Sequence, residues 1–314
     1  MPVTNNKIDE TKVVSTDSTD EIADVQETSP ITVEEQEIPR LYNVHGLSNA
    51  ELNDPNNIMV DISDHDAPLV ILFGPPSCGK TMTLVRLTRY LQSKGYIVAP
   101  IRTFRPSYDT NYANICENFD MMMNSDYASK STDVISFMLV EVVKDGHRIC
   151  QILESPGELY FSPSTPKAPF PSYINRIIAC TNRKIWTIMI EPNWMDRSDR
   201  INYVNRISML KQKNMRHDDV IFVYNKIDLT NFVISIGKVN IKEAIKDAEN
   251  NYLGLFVPFM NQNPITKFFK KYNCDFVPFQ TGYYTKVVGG ITYQEGPEEY
   301  CMDLWKKIMS KIRG

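Results

Sequence analysis

The sequence predicts a three-layer α/β fold: a mostly parallel sheet with one antiparallel strand and helices on both faces. Three observations carry this expectation. Short apolar runs of strand length alternate with segments whose apolar residues recur every three or four positions. Two β-rich runs, 134–143 and 147–153, flank Asp145-Gly146, a tight-turn signal that makes an antiparallel hairpin. The first buried strand also runs through a glycine-bounded loop straight into a helix.

Taken in order, residues 1–40 contain ten Asp/Glu against three Lys/Arg and no aromatic side chain. Such a segment buries too little apolar surface to offset its ordering entropy, so a disordered acidic tail is expected. Residues 41–66 read as a lead-in that can form an edge strand at Ile58–Ile62. His45 and His65 have no evident partners and read as surface residues. Residues 67–314 read as a single domain with insertions. Its first strand is Pro68–Phe73, and its first helix runs from Thr81 to Gln92, with Met82, Leu84, Val85, Leu87 and Leu91 on one side and Gly95 as the stop. A polar and aromatic stretch, 105–130, precedes the hairpin, and a proline-rich loop, 158–171, follows it. Helices are then expected at 172–181, 197–213, 241–252, 264–272 and 297–312, with strands at 184–190, 219–224 and 274–279. Trp186, Trp194 and Trp305 read as packing residues, as does the Met121–Met123 run, for which an exposed cluster in contact with a partner is the alternative.

Composition excludes several classes of function. The net charge is −4, but the first forty residues carry −7, leaving +3 on the remainder. No basic face points to nucleic acid. The six cysteines are scattered without a C-x-x-C pair or a histidine at metal spacing, which fits a reducing compartment. No apolar stretch reaches the roughly 20 residues of a membrane-spanning helix, and neither end carries a lipidation signal. A cytoplasmic location without a membrane anchor is the expectation.

The loop Gly74-Pro75-Pro76-Ser77-Cys78-Gly79-Lys80-Thr81 matches G-x-x-x-x-G-K-[ST], between a strand and a helix as that pattern requires. Glycines let backbone N–H groups turn onto phosphate oxygens, and the helix N-terminus adds partial positive charge. In this arrangement Lys80 reaches the β- and γ-phosphates and the Thr81 hydroxyl lies on Mg²⁺. A P-loop NTPase fold follows. The loop alone does not separate ATP from GTP, and its Gly-Pro-Pro spelling looks like that of many AAA ATPases.

A second motif, Asn225-Lys226-Ile227-Asp228, ends the strand at 219–224. It resembles the guanine-reading N-K-x-D motif of P-loop GTPases: the Asp228 carboxylate can accept from both N1–H and the 2-amino group of guanine, while Lys226 lays its stem along the base. Thr132, the Asp145-Gly146 hairpin and Glu154-Ser155-Pro156-Gly157 then follow the order found in Ras- and Rab-like small GTPases, over roughly residues 67–285. The resemblance implies that Thr132 closes on Mg²⁺ and the γ-phosphate, that Glu154 addresses the metal through water, and that the Gly157 N–H meets the γ-phosphate. It also implies a base contact from Thr281 within Gln280-Thr281-Gly282.

The departures from the family are informative. Glu154 replaces an aspartate, and Glu158 stands where Ras-like enzymes place the glutamine that orients attacking water. Roughly thirty extra residues lie between the first helix and the hairpin. No arginine finger is assigned among Arg102, Arg105 and Lys130. The resulting expectation is a GTP- and GDP-binding, Mg²⁺-dependent protein that hydrolyses slowly, with an effector or regulator meeting residues 96–132 and 154–171. A hydrolysis-deficient GTP-binding adaptor and an AAA-like ATPase remain alternatives.

Overall fold

The computed structural model describes residues 46–123, 137–192, 194–213, 218–287 and 290–314, which belong to one compact unit. In chain order the helices are α1 (Asn49–Asn53), α2 (Lys80–Ser93), α3 (Thr110–Met123), α4 (Gly157–Tyr160), α5 (Ser172–Ala179), α6 (Arg197–Gln212), α7 (Ile241–Asn251), α8 (Pro264–Phe269) and α9 (Glu298–Arg313). The strands are β1 (Leu69–Phe73), β2 (Ile97–Pro100), β3 (Met138–Lys144), β4 (His147–Glu154), β5 (Lys184–Ile190), β6 (Asp219–Tyr224), β7 (Val233–Ser235), β8 (Lys238–Val239), β9 (Asp275–Pro278), β10 (Gly282–Val287) and β11 (Gly290–Glu295).

Seven strands form the central sheet in the order β2-β3-β4-β1-β5-β6-β9. Only β3 runs against the others, paired antiparallel to β2 on one side and β4 on the other. The expected P-loop NTPase α/β arrangement is therefore present, with helices around the sheet. All residues of β1 and β5 are buried. Successive side chains on a strand point to opposite faces, so burial at every position means that both faces are covered.

The apolar pattern explains this placement. On α2, Leu84, Val85, Leu87 and Leu91 are at most 1% exposed, and all join the common core. Phe73 at the end of β1 lies among Tyr160, Phe170, Trp186 and Tyr203, with ring centroids 4.6–6.5 Å away. Trp186, Trp194 and Trp305 are all buried, as expected of packing residues, whereas Met121, read the same way, is 62% exposed.

Several sequence expectations need correction. Ile58–Ile62 forms no edge strand. Ile58 and Ile62 insert their side chains into the core, while the backbone between them makes one backbone–backbone bond to the main body, from Asp61 N–H to the Phe104 carbonyl. The stretch after Arg105 contains a 14-residue helix, α3. Asp109 caps it by accepting from Tyr112 N–H at 3.0 Å, and Tyr112, Ile115, Cys116 and Phe119 form its buried stripe. The segment between β9 and α9 holds a hairpin, β10–β11, that the sequence reading passed over. It is fastened to α2 through Arg86, which donates to Glu295 and to the Gly296 carbonyl. Pro297 is the N-cap of α9 rather than its first residue. The first residues expected in the hairpin, 134–136, lie outside the described residues.

Candidate functional site

Parallel strands bring their C-terminal ends to one edge of the sheet, which is where ligands bind in open α/β folds. Here that edge collects almost every residue the motifs singled out. Leu72 of β1 is in register with Glu154 of β4, Ile190 of β5 with Tyr224 of β6, and Tyr224 with Pro278 of β9. The phosphate-binding loop, Glu154, Glu191, Asn225 and Gln280-Thr281 each follow or end one of these strands.

The loop from Gly74 to Thr81 is wound tightly. Gly79 has φ +90°, and a Cβ there would lie 2.2 Å from the Asn225 amide nitrogen, so only glycine fits. Ser77 is also left-handed, at φ +59°. Lys80 is buried and donates from Nζ to the Pro75 carbonyl at 2.8 Å, so its ammonium lies across the mouth of its own loop. Cys78 is buried, and loss of solvent pushes its thiol up to about 11, against the pull of Lys80.

Beneath the loop, the Thr81 hydroxyl donates to Glu154 Oε1 at 3.0 Å. Glu154 is only 1% exposed, and its Oε2 accepts from the Phe137 N–H at 2.6 Å. A hydroxyl and a carboxylate side by side at the start of a phosphate-binding helix are hard oxygen donors. They fit Mg²⁺, which takes one or two protein oxygens and completes its shell with water and phosphate. Phe137 itself is left-handed, at φ +65°. A bulky residue in that region is strained, and strain of this kind collects at switch and ligand-binding segments.

Gly157 begins α4 directly against the loop. A Cβ on it would lie 2.3 Å from Pro76 N and 2.4 Å from the Pro75 carbonyl carbon. Glu158 follows with an exposed side chain. The proline-rich loop beyond is pinned by Arg206, which donates to the Tyr160 carbonyl at 2.6 Å and to the Ala168 carbonyl, and stacks 3.6 Å above the Phe170 ring. Burial pulls the Arg206 guanidinium down to about 10.

The Asn225–Asp228 turn lies beside the phosphate-binding loop and is joined to it. Asn225 is buried and donates from Nδ2 to the Cys78 carbonyl at 3.0 Å. Lys226 is left-handed at φ +55°; its Nζ lies 3.5 Å from the Ser77 carbonyl oxygen and forms an ion pair with Glu191. Asp228 is the middle residue of the following 3₁₀ turn, Ile227–Leu229, with its side chain exposed. Displacement of solvent by its surroundings still pushes its carboxyl up, opposed by its own N–H and by Lys226. Gln280 and Thr281 come to the same turn from β9, with Ile227 N–H bonded to the Phe279 carbonyl at 3.2 Å. The Thr281 carbonyl accepts from the Tyr293 hydroxyl at 2.8 Å.

The structure thus gathers Gly74–Thr81, Glu154, Gly157, Asn225, Lys226 and Thr281 on one edge. Thr132 and Lys130 lie outside the described residues. Arg105 is buried in contacts with Glu51 and Asp109, and Arg102 is exposed beside Asp120. Two residues of the site were missed in the sequence: Glu191, which holds Lys226, and Phe137, which holds Glu154. Glu191 carries a positional signal, since it follows the last residue of a buried parallel strand. Phe137 carries none, because it acts through its backbone.

No family model matches this chain, and no curated protein matches it. Solved structures do. A nucleolar GTP-binding protein 1 of Plasmodium falciparum is 13% identical, with a TM-score of 0.35 over 81% of this chain and 92% of that one. The S. cerevisiae Ski7 GTPase-like domain bound to GDP and inorganic phosphate is 13% identical, with a TM-score of 0.42. The same domain bound to GTP is 14% identical, with a TM-score of 0.38. Both Ski7 comparisons cover 85% of this chain and 53% of the other, so this chain spans about half the length of those chains. The fold stands on the strand order and loop geometry above.

Proposed function

We propose that this protein binds GTP and GDP with Mg²⁺ and hydrolyses GTP slowly, as a nucleotide-dependent switch of the Ras- and Rab-like kind. One observation carries the reading. Asn225-Lys226-x-Asp228 stands at the end of the strand beside β5 and is hydrogen-bonded to the phosphate-binding loop, leaving the Asp228 carboxylate exposed where a base would lie. A carboxylate there favours guanine, which offers two adjacent donors, over adenine.

In this reading Lys80 leaves the Pro75 carbonyl for the β- and γ-phosphates, and the loop N–H groups hold the phosphate oxygens. Thr81, and Glu154 through water, would hold Mg²⁺, which would neutralise charge on the phosphates; Thr132 would complete that ligand set, and the Gly157 N–H would meet the γ-phosphate. Glu158 lies next to the attacking water as a base, but its charge also repels the γ-phosphate. That conflict favours slow turnover. It also motivates a second reading, a GTP-binding adaptor without useful hydrolysis. Six unpaired cysteines support a reducing cytoplasmic setting, and no described helix is long and apolar enough to cross a membrane.

Fluorescent GDP, GTP and ATP analogues titrated in Mg²⁺ test the base assignment, with Asp228→Asn as the companion variant. The expected result is guanine over adenine in the parent and a shift toward xanthine in the variant. Tighter ATP binding in the parent would overturn the reading. Phosphate release followed over hours, against Lys80→Ala, separates the switch from the adaptor.

A further inference from the structure

Away from the phosphate-binding loop, a cavity of about 600 Å³ opens between the 59–61 segment, the 102–109 turn, α3 and α5. Its lining includes Met59, Arg102, Arg105, Tyr112, Cys116 and Arg176. This volume is within the range of ordinary ligand pockets. The interior is firmly built: Tyr112 and Cys116 are at most 2% exposed, and Tyr112 donates to the Ile101 carbonyl at 2.9 Å. Arg105 is 4% exposed and donates to Asp109 and to the Met59 carbonyl, at 2.8 and 2.7 Å, as well as to Glu51.

The rim differs from the interior. Arg102 and Arg176 are exposed. Arg102 has only a 3.7 Å contact to the exposed Asp120, and Arg176 makes no ion pair among the described residues. Met59 is 52% exposed and Tyr108, beside it at 3.8 Å, is 76% exposed. Arginine, methionine and tyrosine without lysine is the composition of a protein-contact surface rather than a nucleic-acid surface. Two acids also line the cavity, but Asp109 is taken by Arg105, so exposed Asp61 alone faces the charge of Arg102 and Arg176, and cationic charge remains at the rim for a carboxylate to meet.

The pocket is also joined to the phosphate edge by direct contacts. The Arg105 guanidinium lies 5.3 Å from the Phe137 ring centroid. Phe137 packs edge-on against Phe104, with centroids 5.4 Å apart, and its N–H holds Glu154, which accepts from Thr81. A shift of Phe137 out of its left-handed backbone state would disturb Glu154 at one end and Arg105 at the other.

We propose that this pocket is the docking site for an extended segment of a partner protein in which a large apolar side chain stands next to an acidic residue, and that its occupancy is coupled through Phe137 to the phosphate site. The apolar side chain fills the space over Tyr112 and Cys116, and the carboxylate meets Arg102 and Arg176. The coupling rests on the nucleotide reading above; the docking does not. Coupling of this kind is reciprocal, so segment and nucleotide must change each other's affinity by the same factor.

The probe is a display library of short random peptides, selected on the full chain and followed by anisotropy titration of the enriched sequences. Enriched peptides are expected to carry Asp or Glu beside Leu, Phe or Met. The exposed double change Arg102→Glu with Arg176→Glu should weaken their binding by roughly tenfold or more, the loss typical of a central arginine in an interface, and should leave nucleotide affinity unaltered. Enriched peptides without an acidic residue, or binding indifferent to the charge reversal, would overturn the docking site. Equal peptide affinity with and without Mg²⁺ and GTP, while GTP itself binds, would overturn the coupling. Failure of the chain to bind guanine nucleotide would show in the nucleotide titration alone, with the peptide titration unaffected.

Discussion

Replacing Gly157 by alanine sets two effects of opposite sign against each other, and the structure decides between them. Gly157 is the first residue of a helical turn and does not have a positive φ. On conformational grounds alone, alanine would therefore stabilise by about 0.5–1 kcal/mol. The new methyl carbon, however, would lie 2.3 Å from Pro76 N, 2.4 Å from the Pro75 carbonyl carbon and 2.6 Å from its oxygen. All three are backbone atoms of a loop braced by Lys80 and Asn225. Relief takes a displacement of about 1 Å, and overpacking of that size costs roughly 1–3 kcal/mol. At the middle of both ranges the clash wins by about 1 kcal/mol. At roughly 2–4 °C per kcal/mol for a domain somewhat smaller than this one, the melting temperature without nucleotide should fall by a few degrees. Because Gly157 faces the end of the loop where a γ-phosphate is proposed, GTP should lose affinity about tenfold more than GDP does. Differential scanning fluorimetry and paired titrations of fluorescent GTP and GDP measure both quantities. An unchanged or higher melting temperature would refute the steric argument. A GTP-to-GDP affinity ratio equal to that of the parent would refute the placement of Gly157 at the γ-phosphate.

The remaining predictions test other parts of the edge and the scaffold behind it. Asn225→Ala removes the bond to the Cys78 carbonyl, worth roughly 0.5–1.5 kcal/mol, and nucleotide titration should show a three- to tenfold loss of affinity. Burial alone would raise the Asp275 carboxyl, but the Lys311 hydrogen bond, with Lys270 and Lys307, outweighs it and holds the group below the ordinary aspartate value. Its stabilisation is thus present above the unfolded-state value of about 3.9 and is lost as the pH falls through the lower folded-state value. Asp275→Asn should melt lower than the parent at pH 7, and the gap should close in melts run progressively further into acid. Five of the six cysteines are buried and Cys180 is half-buried. Brief alkylation of the native protein at pH 8, read by peptide mass spectrometry, should therefore label Cys180 ahead of the other five.

The edge of the sheet was legible because its residues obey local rules. A phosphate-binding loop is a contiguous pattern with fixed spacing, and Asp145-Gly146 marks a hairpin by the backbone angles it needs: Asp145 and Gly146 both have positive φ, at +52° and +77°. β5 and β6 were predicted to the residue because strands buried on both faces read as unbroken apolar runs. The misses have equally physical causes. In α3 the apolar stripe is spelled with Tyr, Cys and Phe among asparagines, which weakens the hydropathy contrast although the three- and four-residue spacing is intact. Ile58 and Ile62 carry the alternation of a strand, but their segment finds no neighbouring backbone to pair with beyond one bond. The β10–β11 hairpin has a signal in the Gly-Gly pair at 289 and 290, but it stands outside the central sheet and so outside its alternation of strands and helices.

What the sequence does not carry at all is the linkage between the two halves of the edge. The Gly74–Thr81 loop and the Asn225 turn lie far apart in sequence, with Cys78 and Asn225 separated by 147 positions. Each motif looks self-sufficient when read alone. In three dimensions they share atoms: the Asn225 amide occupies the space that a Cβ on Gly79 would need, so the glycine of one motif is required by the asparagine of the other. Lys226 is likewise fixed from a third strand by Glu191, and Glu154 from a fourth by the Phe137 backbone. A change at any one of these positions is therefore felt at the Gly74–Thr81 loop or at the Thr81–Glu154 pair beneath it. Double-mutant cycles between Asn225 and Glu191 should show coupling, since both act on one turn, whereas cycles between Glu191 and Asp275, at the opposite end of the strands from that turn, should add independently.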